Sequence, residues 1–481
     1  MQAQELKYRN LLIIGFGLLF IFVNSYIVYN YGLIYFAFFP FALLVGIILL
    51  KAYDKIFYLI AFLTPLSLSL SYFVPEISFN ISIFTEPLLF SLLIILAIKF
   101  FFYHKIDLQI AKHRVSIAIF FYLGWMFITS VTSTMPLVSF KFLLSKIWFV
   151  VPVFFLGIGL FKNYKNIKPF IWAYSATLII VVLYSTVRLF QTSLLSDTAA
   201  HHVVKPFYND HTAYGAVLAL FAPVLWGFAF KLKQKIQIKV TAAIFAFIVT
   251  LGALLSYSRA SWIGLVAALG VWGIVKLRIK FRYILSVIVV GAVLIGSFWF
   301  QIIDKLNKNN QDTSSSITHQ ISSMTNIRTD ASNVERLNRW YCAIEMFKQK
   351  PVTGWGPGTY QFQYAPFQLE RMRTIISTNF GNIGNSHSEY LGPLAEQGIL
   401  GSLAFIFLAI AILYSGFQVH KFAADKEVRM LALSTTLGFV TYFIHGLMNN
   451  FLDTDKLAIP FFGFAAIIVA LDLYHKKLEI R

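Results

Sequence analysis

Three short stretches decide how this chain is read: Glu335-Arg336-Leu337-Asn338-Arg339-Trp340, Gly354-Trp355-Gly356-Pro357-Gly358 and Asn385-Ser386-His387-Ser388-Glu389-Tyr390. They lie within a polar interruption from about Gln301 to Tyr390, and the sequence on both sides is almost wholly apolar. A long polar segment between apolar runs cannot cross a bilayer, because its backbone and side chains would lose water without replacement. It is therefore expected to cover one face of a helical membrane domain. The chain divides into N-terminal transmembrane helices (1–300), a large loop with site helices (301–390) and C-terminal transmembrane helices (391–481).

Composition sets the class. Of 481 residues 58% are hydrophobic and only 13% are charged. A soluble protein carries about 25% charge. The mean hydropathy is +0.71. Apolar runs of about twenty residues recur from end to end, as membrane-spanning helices require. The 50 phenylalanines suit lipid-facing surfaces and bilayer interfaces. A formal net charge of +19 in a soluble chain would suggest nucleic acid. Here the basic residues fall in short connections, where they orient the protein, so no nucleic-acid partner is expected. The one cysteine, Cys342, can form no internal disulfide and offers no metal-site spacing. No cleavable signal peptide is expected, since the first apolar run lacks a small-residue cleavage site.

Apolar spans are expected at about 11–29, 31–50, 55–73, 87–103, 115–133, 137–161, 169–190, 212–230, 240–256, 262–276, 283–300, 391–417, 428–448 and 457–474. That is about 12–14 transmembrane helices in an all-α polytopic membrane protein. The strongly basic connections, such as His104–Arg114, Lys162–Lys168, Lys231–Lys239 and Lys276–Arg282, fall on one side. The positive-inside rule makes that side cytoplasmic, with both termini there. Counting crossings puts His201, His202 and His211, then Arg259, then the loop 301–390 together on the opposite face. Asn307–Ser316 is polar and expected to be flexible.

Arg259 lies between two apolar spans in Tyr257-Ser258-Arg259-Ala260-Ser261. An arginine inside the bilayer costs about 2.5–3.5 kcal/mol unless solvated or paired. Two readings remain: a side chain snorkelling to phospholipid, or a binding group for a substrate phosphate with Ser256 and Ser258 adding hydroxyls. Arg336 and Arg339 are three apart and share one helical face, either a solvated basic face or part of a site. Trp340, Ile344 and Phe347 would form the apolar stripe. Gly354–Gly358 reads as a rigid turn, and lacks the ending of a phosphate loop. His387 precedes a helix beginning near Tyr390, and is either structural or a proton acceptor near neutral pH. Glu389 is close by. Glu396 sits inside an apolar run, where a carboxylate needs a partner or a water-filled cavity. Asp453 and Asp455 read as a polar turn rather than a metal pair.

Tyr257–Ser261, then Arg336–Trp340 leading to Pro351 and Gly354–Gly358, then His387-Ser388-Glu389-Tyr390-Leu391 with Glu396-Gln397-Gly398, resemble in order and spacing the O-antigen ligase and polymerase superfamily. The motifs cover roughly 252–400. Phe207–His211 resembles a feature of some bacterial branches. The resemblance implies a GT-C-like, inverting, metal-independent glycosyltransferase without a cofactor in the bacterial inner membrane. The donor would be a glycan on undecaprenyl diphosphate. The acceptor would be a hydroxyl of lipid A-core or, in a polymerase, another lipid-linked glycan. Arg259 and Arg336 match the family's diphosphate-binding arginines, and His387 matches the histidine that activates the acceptor. Arg339, Ser258, Glu389, Glu396 and His211 are supporting candidates. The family has Asn where Ser388 stands. The missing nucleotide-binding fingerprint fits a lipid-carried donor. Two other classes stay open: a polysaccharide-related transporter, which would place charges at the midplane and show related halves, and a structural or assembly membrane protein, which would need none of Arg259, Arg336 and His387.

Overall fold

The computed structural model describes residues 15, 18–26, 29, 52–73, 82–103, 107–192, 202–230, 234–280, 331–373, 377 and 384–476. The expected spans at 31–50 and 283–300, His201 and the tract Asn307–Ser316 lie outside these residues, and the span at 11–29 lies partly outside them. Residues 57–481 pack as one compact unit and residues 1–56 as another. Among the described residues the structure is helical, with one isolated bridge between Ser69 and Ser82.

The helices are α1 (Tyr53–Leu63), α2 (Thr85–Tyr103), α3 (Arg114–Val131), α4 (Pro136–Phe161), α5 (Ile167–Thr192), α6 (His211–Ala229), α7 (Ile236–Leu255), α8 (Arg259–Lys276), α9 (Ala331–Gln349), α10 (Leu391–Phe422), α11 (Lys426–His445) and α12 (Asp455–Ala470). Among the described residues eight helices are long and apolar enough to cross a membrane: α3 to α8, α10 and α12 with short extensions. The chain is an all-α, multi-pass membrane protein.

Helix α12 is the central post. It is apolar on every side, and a helix of that kind is stable only when surrounded. Phe464 packs on Phe170 of α5 and Phe221 of α6, and Tyr174 stacks on Phe221 at 4.5 Å. Its first turn is fixed by charge. Asp455 accepts hydrogen bonds from Ser67 and Thr85, each at 2.6 Å, and Lys456 donates to the carbonyls of Thr64, Pro65 and Ser67. The sequence reading of Asp455 as a turn residue is thus corrected: it is a buried acceptor at a helix N-terminus, where negative charge is favoured. Around this post α6 packs on α7 and α11, α8 packs on α11, and α10 lies between α3 and α11. Gly264 lets α8 approach α11, since a Cβ there would stand 2.7 Å from the Thr441 carbonyl.

The polar segment docks onto α10 at a break in that helix. Gly398 has φ 69° and ψ −167°, far from helical values. The break frees backbone groups, and the turn Pro351–Gly358 takes them. Trp355 N–H donates to Ala395 O at 3.1 Å, Gly356 N–H to Glu396 O at 2.7 Å, and Ile399 N–H to Pro351 O at 3.0 Å. Trp125 of α3 donates to Gln397 O at 2.8 Å. Helix α9 then packs against α10 through Cys342, Ala343 and Met346, which form a core with Tyr360, Tyr364 and Ala395. The buried stripe of α9 is thus Cys342, Ala343 and Met346, and the apolar stripe of Trp340, Ile344 and Phe347 is left partly exposed.

Gly398→Ala should lower thermal stability in detergent by more than about 2 kcal/mol, because a Cβ would meet Val352 O at 2.2 Å and φ is positive. Gly124→Ala, which meets nothing within 4 Å, should leave the melting temperature unchanged or slightly raised.

Candidate functional site

The end of the bundle that bears α9 and the 384–390 segment brings together residues from four separate stretches. The first is the turn between α7 and α8. Tyr257 has φ 51°, a left-handed conformation uncommon for a bulky residue. Ser258 is the N-cap of α8 and buried, and Arg259 follows as the first helical residue, partly exposed. The turn is clamped by His211, whose Nδ1 lies 2.8 Å from Ser256 O. A carbonyl only accepts, so Nδ1 holds the proton and Nε2 is turned toward Asp210, 4.0 Å away. Gly215 of α6 allows the serines to sit close, since a Cβ there would stand 2.6–2.7 Å from Ser261 Oγ, Ser256 Oγ and Ser258 Cβ.

The second stretch is Asp210-His211. Asp210 caps α6 by accepting from Thr212 N–H and Thr212 Oγ1. Burial works to raise its carboxyl. His211, Thr212 and His387 outweigh burial and hold it below the usual carboxylate range.

The third stretch is the start of α9. Arg336 is partly buried and close enough to His387 to act on its charge. Arg339 is buried and committed elsewhere. It pairs with Glu335 at 2.6 Å, lies over the Tyr364 ring at 4.6 Å and donates to Asn385 O at 3.3 Å. Arg339 therefore positions the segment that holds His387.

The fourth stretch is 384–390. His387 has φ 49°, and Asn385 Oδ1 accepts from its N–H at 3.0 Å. Burial first, then the guanidiniums of Arg336 and Arg339, push the His387 imidazole down to about 3, while Asp210 and a hydrogen bond with Asn449 work against them. The ring is neutral at neutral pH, with one of its two nitrogens unprotonated. Glu389 faces away. Its Oε1 accepts from Tyr442 Oη at 2.5 Å, Phe451 N–H at 2.9 Å and Leu452 N–H at 3.0 Å. Burial raises its carboxyl above the usual range, against the pull of Lys146. Glu396 accepts from Tyr360 N–H at 2.9 Å and so fixes the docked turn.

The structure adds a buried polar chain that the sequence reading missed. Ser261 Oγ lies 2.9 Å from Ser258 Oγ and 3.4 Å from His445 Nδ1, and His445 Nε2 lies 3.2 Å from Asn449 Nδ2. Asn449 in turn is close enough to His387 to favour its charged form. With the Asn449 amide donating to Nε2, a neutral His445 carries its proton on Nδ1 and donates to Ser261, which donates to Ser258. The chain links the Arg259 turn to His387, and Asp210, His211 and Arg336 all lie within electrostatic reach of His445. The signal was present: a histidine inside an apolar span needs a polar partner. Among the described residues no three His, Cys, Asp or Glu side chains converge to hold a metal ion.

Residues 243–406 match the family model described as O-antigen ligase. The match takes in the Arg259 turn, α9, the docked turn, His387 and the break at Gly398, and leaves out Asp210, His211, His445 and Asn449. No curated protein matches the chain. Over this segment, set in a multi-pass helical membrane bundle, the chain is similar to the O-antigen ligase family, which supports the resemblance to the ligase and polymerase superfamily.

Proposed function

We propose that the protein is an O-antigen ligase-like glycosyltransferase. It moves a glycan from undecaprenyl diphosphate to an acceptor hydroxyl, that of lipid A-core, at the periplasmic face of the inner membrane. Both termini are cytoplasmic in this reading. The observation that carries it is the meeting of Arg336 and His387, from two distant stretches, beside the Asp210–His211 pair that clamps the Arg259 turn.

The acceptor oxygen attacks the anomeric carbon from the face opposite the diphosphate, its bond to that carbon forms as the glycosidic C–O bond to phosphate breaks, and the configuration inverts. Arg259 and Arg336 hold the leaving diphosphate, as fixed cations that stabilise its charge without a metal. His387 takes the acceptor proton. An imidazole pushed down to about 3 is a weak base when the site is empty. A bound diphosphate supplies anionic charge against Arg336, which cancels part of the depression and raises the histidine toward its ordinary value. Donor binding thus prepares the base.

Two outcomes follow. Arg259→Ala, Arg336→Ala and His387→Ala should each lower transfer by about a hundredfold or more with normal membrane insertion. The readout is the glycan profile of a complemented deletion strain. Long chains left on undecaprenyl diphosphate with bare lipid A-core identify a ligase, and single repeat units on lipid A-core identify a polymerase. Unchanged transfer in all three variants would sink the site. The pH profiles should also differ. His387 must be neutral to act, so activity falls as pH drops through its pKa. The acid limb of kcat, which reports the donor complex, should lie at higher pH than that of kcat/KM, which reports the free enzyme. Coincident limbs would remove the coupling.

A further inference from the structure

The segment 384–390 is a wall with two sides. His387 faces the arginines. Its neighbours Ser386, Ser388 and Glu389 line a separate cavity of ≈ 430 Å³ between α4, the start of α10 and the turn after α9. Arg259, Arg336, His211 and His387 do not line it. Its volume falls within the about 300–1,000 Å³ of small-molecule sites.

The lining is built for hydrogen bonding. Gln397 is 2% exposed and its Oε1 has no hydrogen-bond partner among the described residues. The same holds for Asn450 Oδ1. Two buried acceptors left open call for hydroxyl or amide donors. Lys146 is 2% exposed, bridges Asp453 at 2.5 Å and donates to Leu452 O at 3.0 Å, so the polar wall is held rigidly. Phe142 and Tyr360 supply ring faces. The charges do not favour an anion: the lysines at 141 and 146 stand against the carboxylates of Glu389, Glu396 and Asp453, and no arginine is present. A diphosphate is disfavoured by this balance. A neutral ligand rich in hydroxyls is suited to it.

We infer that this cavity is a sugar-binding chamber, which holds a ring of the transferring glycan or of the acceptor on the side of the 384–390 wall opposite the diphosphate. The inference rests on the glycosyl-transfer reading above. Gln397 and Asn450 accept from ring hydroxyls, Lys146 donates its remaining proton, and Phe142 covers an apolar ring face.

The test uses the full-length protein in nanodiscs, with Gln397→Met, which removes an acceptor at similar volume, and Ser145→Trp, which fills the cavity. Transfer is measured by titrating lipid-linked glycan extracted from a deletion strain and, separately, the acceptor fraction of its membranes. Binding of undecaprenyl diphosphate alone is read by native mass spectrometry. Gln397→Met should raise one apparent KM by about tenfold. Ser145→Trp should abolish transfer, and both should bind undecaprenyl diphosphate as the wild type does. A shift confined to the acceptor titration assigns the ring to the acceptor, and one confined to the donor assigns it to the glycan. Wild-type kinetics in either variant would overturn the chamber. Loss of diphosphate binding in Gln397→Met would also overturn it, by merging the two compartments. Arg336→Ala serves as the separate control: wild-type transfer there defeats the glycosyl-transfer reading itself.

Discussion

The break in α10 at Gly398 is the constraint on which the polar half of the site depends. An unbroken helix would use the carbonyls of Ala395 and Glu396 internally and leave the turn Pro351–Gly358 nothing to bind. The break exposes them, and Trp355 and Gly356 fill the vacancy with backbone donors. The fit needs glycine on both partners. A Cβ at Gly354 would stand 2.3 Å from Glu396 C, and one at Gly398 would stand 2.2 Å from Val352 O. The same docking fixes the end of α9, so the orientation of Arg336 is set by a backbone lock more than ten residues away. Thr134 and Trp125 brace the lock from α3 and the turn that follows it.

Buried charge does the rest, held in this bundle by specific partners. Lys146 meets Asp453, Arg339 meets Glu335, and Lys456 is surrounded by three carbonyls. Such groups are costly to bury, and removing one partner leaves the other stranded. They contribute registry more than net stability. Glu389 illustrates the difference. With three donors on one oxygen it ties the 384–390 segment to residues 442–452, and so sets where His387 stands relative to Asn449.

Much of this was legible in the sequence. Hydropathy gave the helical membrane class, and crossing parity grouped Arg259, His211 and His387. Spacing within a helix put Arg336 and Arg339 near one another. What the sequence does not disclose is which partner a buried polar group takes. Arg339 and Glu389 read as site residues because they lie beside the motifs, but a carboxylate or guanidinium in an apolar setting reports only the need for a partner. His445 and Asn449 were overlooked because they sit in an apolar run after the motifs end. Their role depends on α8 and α11 crossing at Gly264, and a crossing has no signature in either helix alone.

The placement of His387 between two arginines and an aspartate has its own logic. In the proposed base role His387 must be neutral, and burial beside Arg336 and Arg339 disfavours its imidazolium form. The same cations make it a weak base. Asp210 does not undo this, because its charge is shared with His211 and Thr212. Only a further anion lodged near Arg336 shifts the balance, and among the proposed substrates the diphosphate is the one that brings it. Base strength and donor occupancy are then coupled through one electrostatic field. In the proposed reaction the acceptor would then be activated only when a glycan is present to receive it.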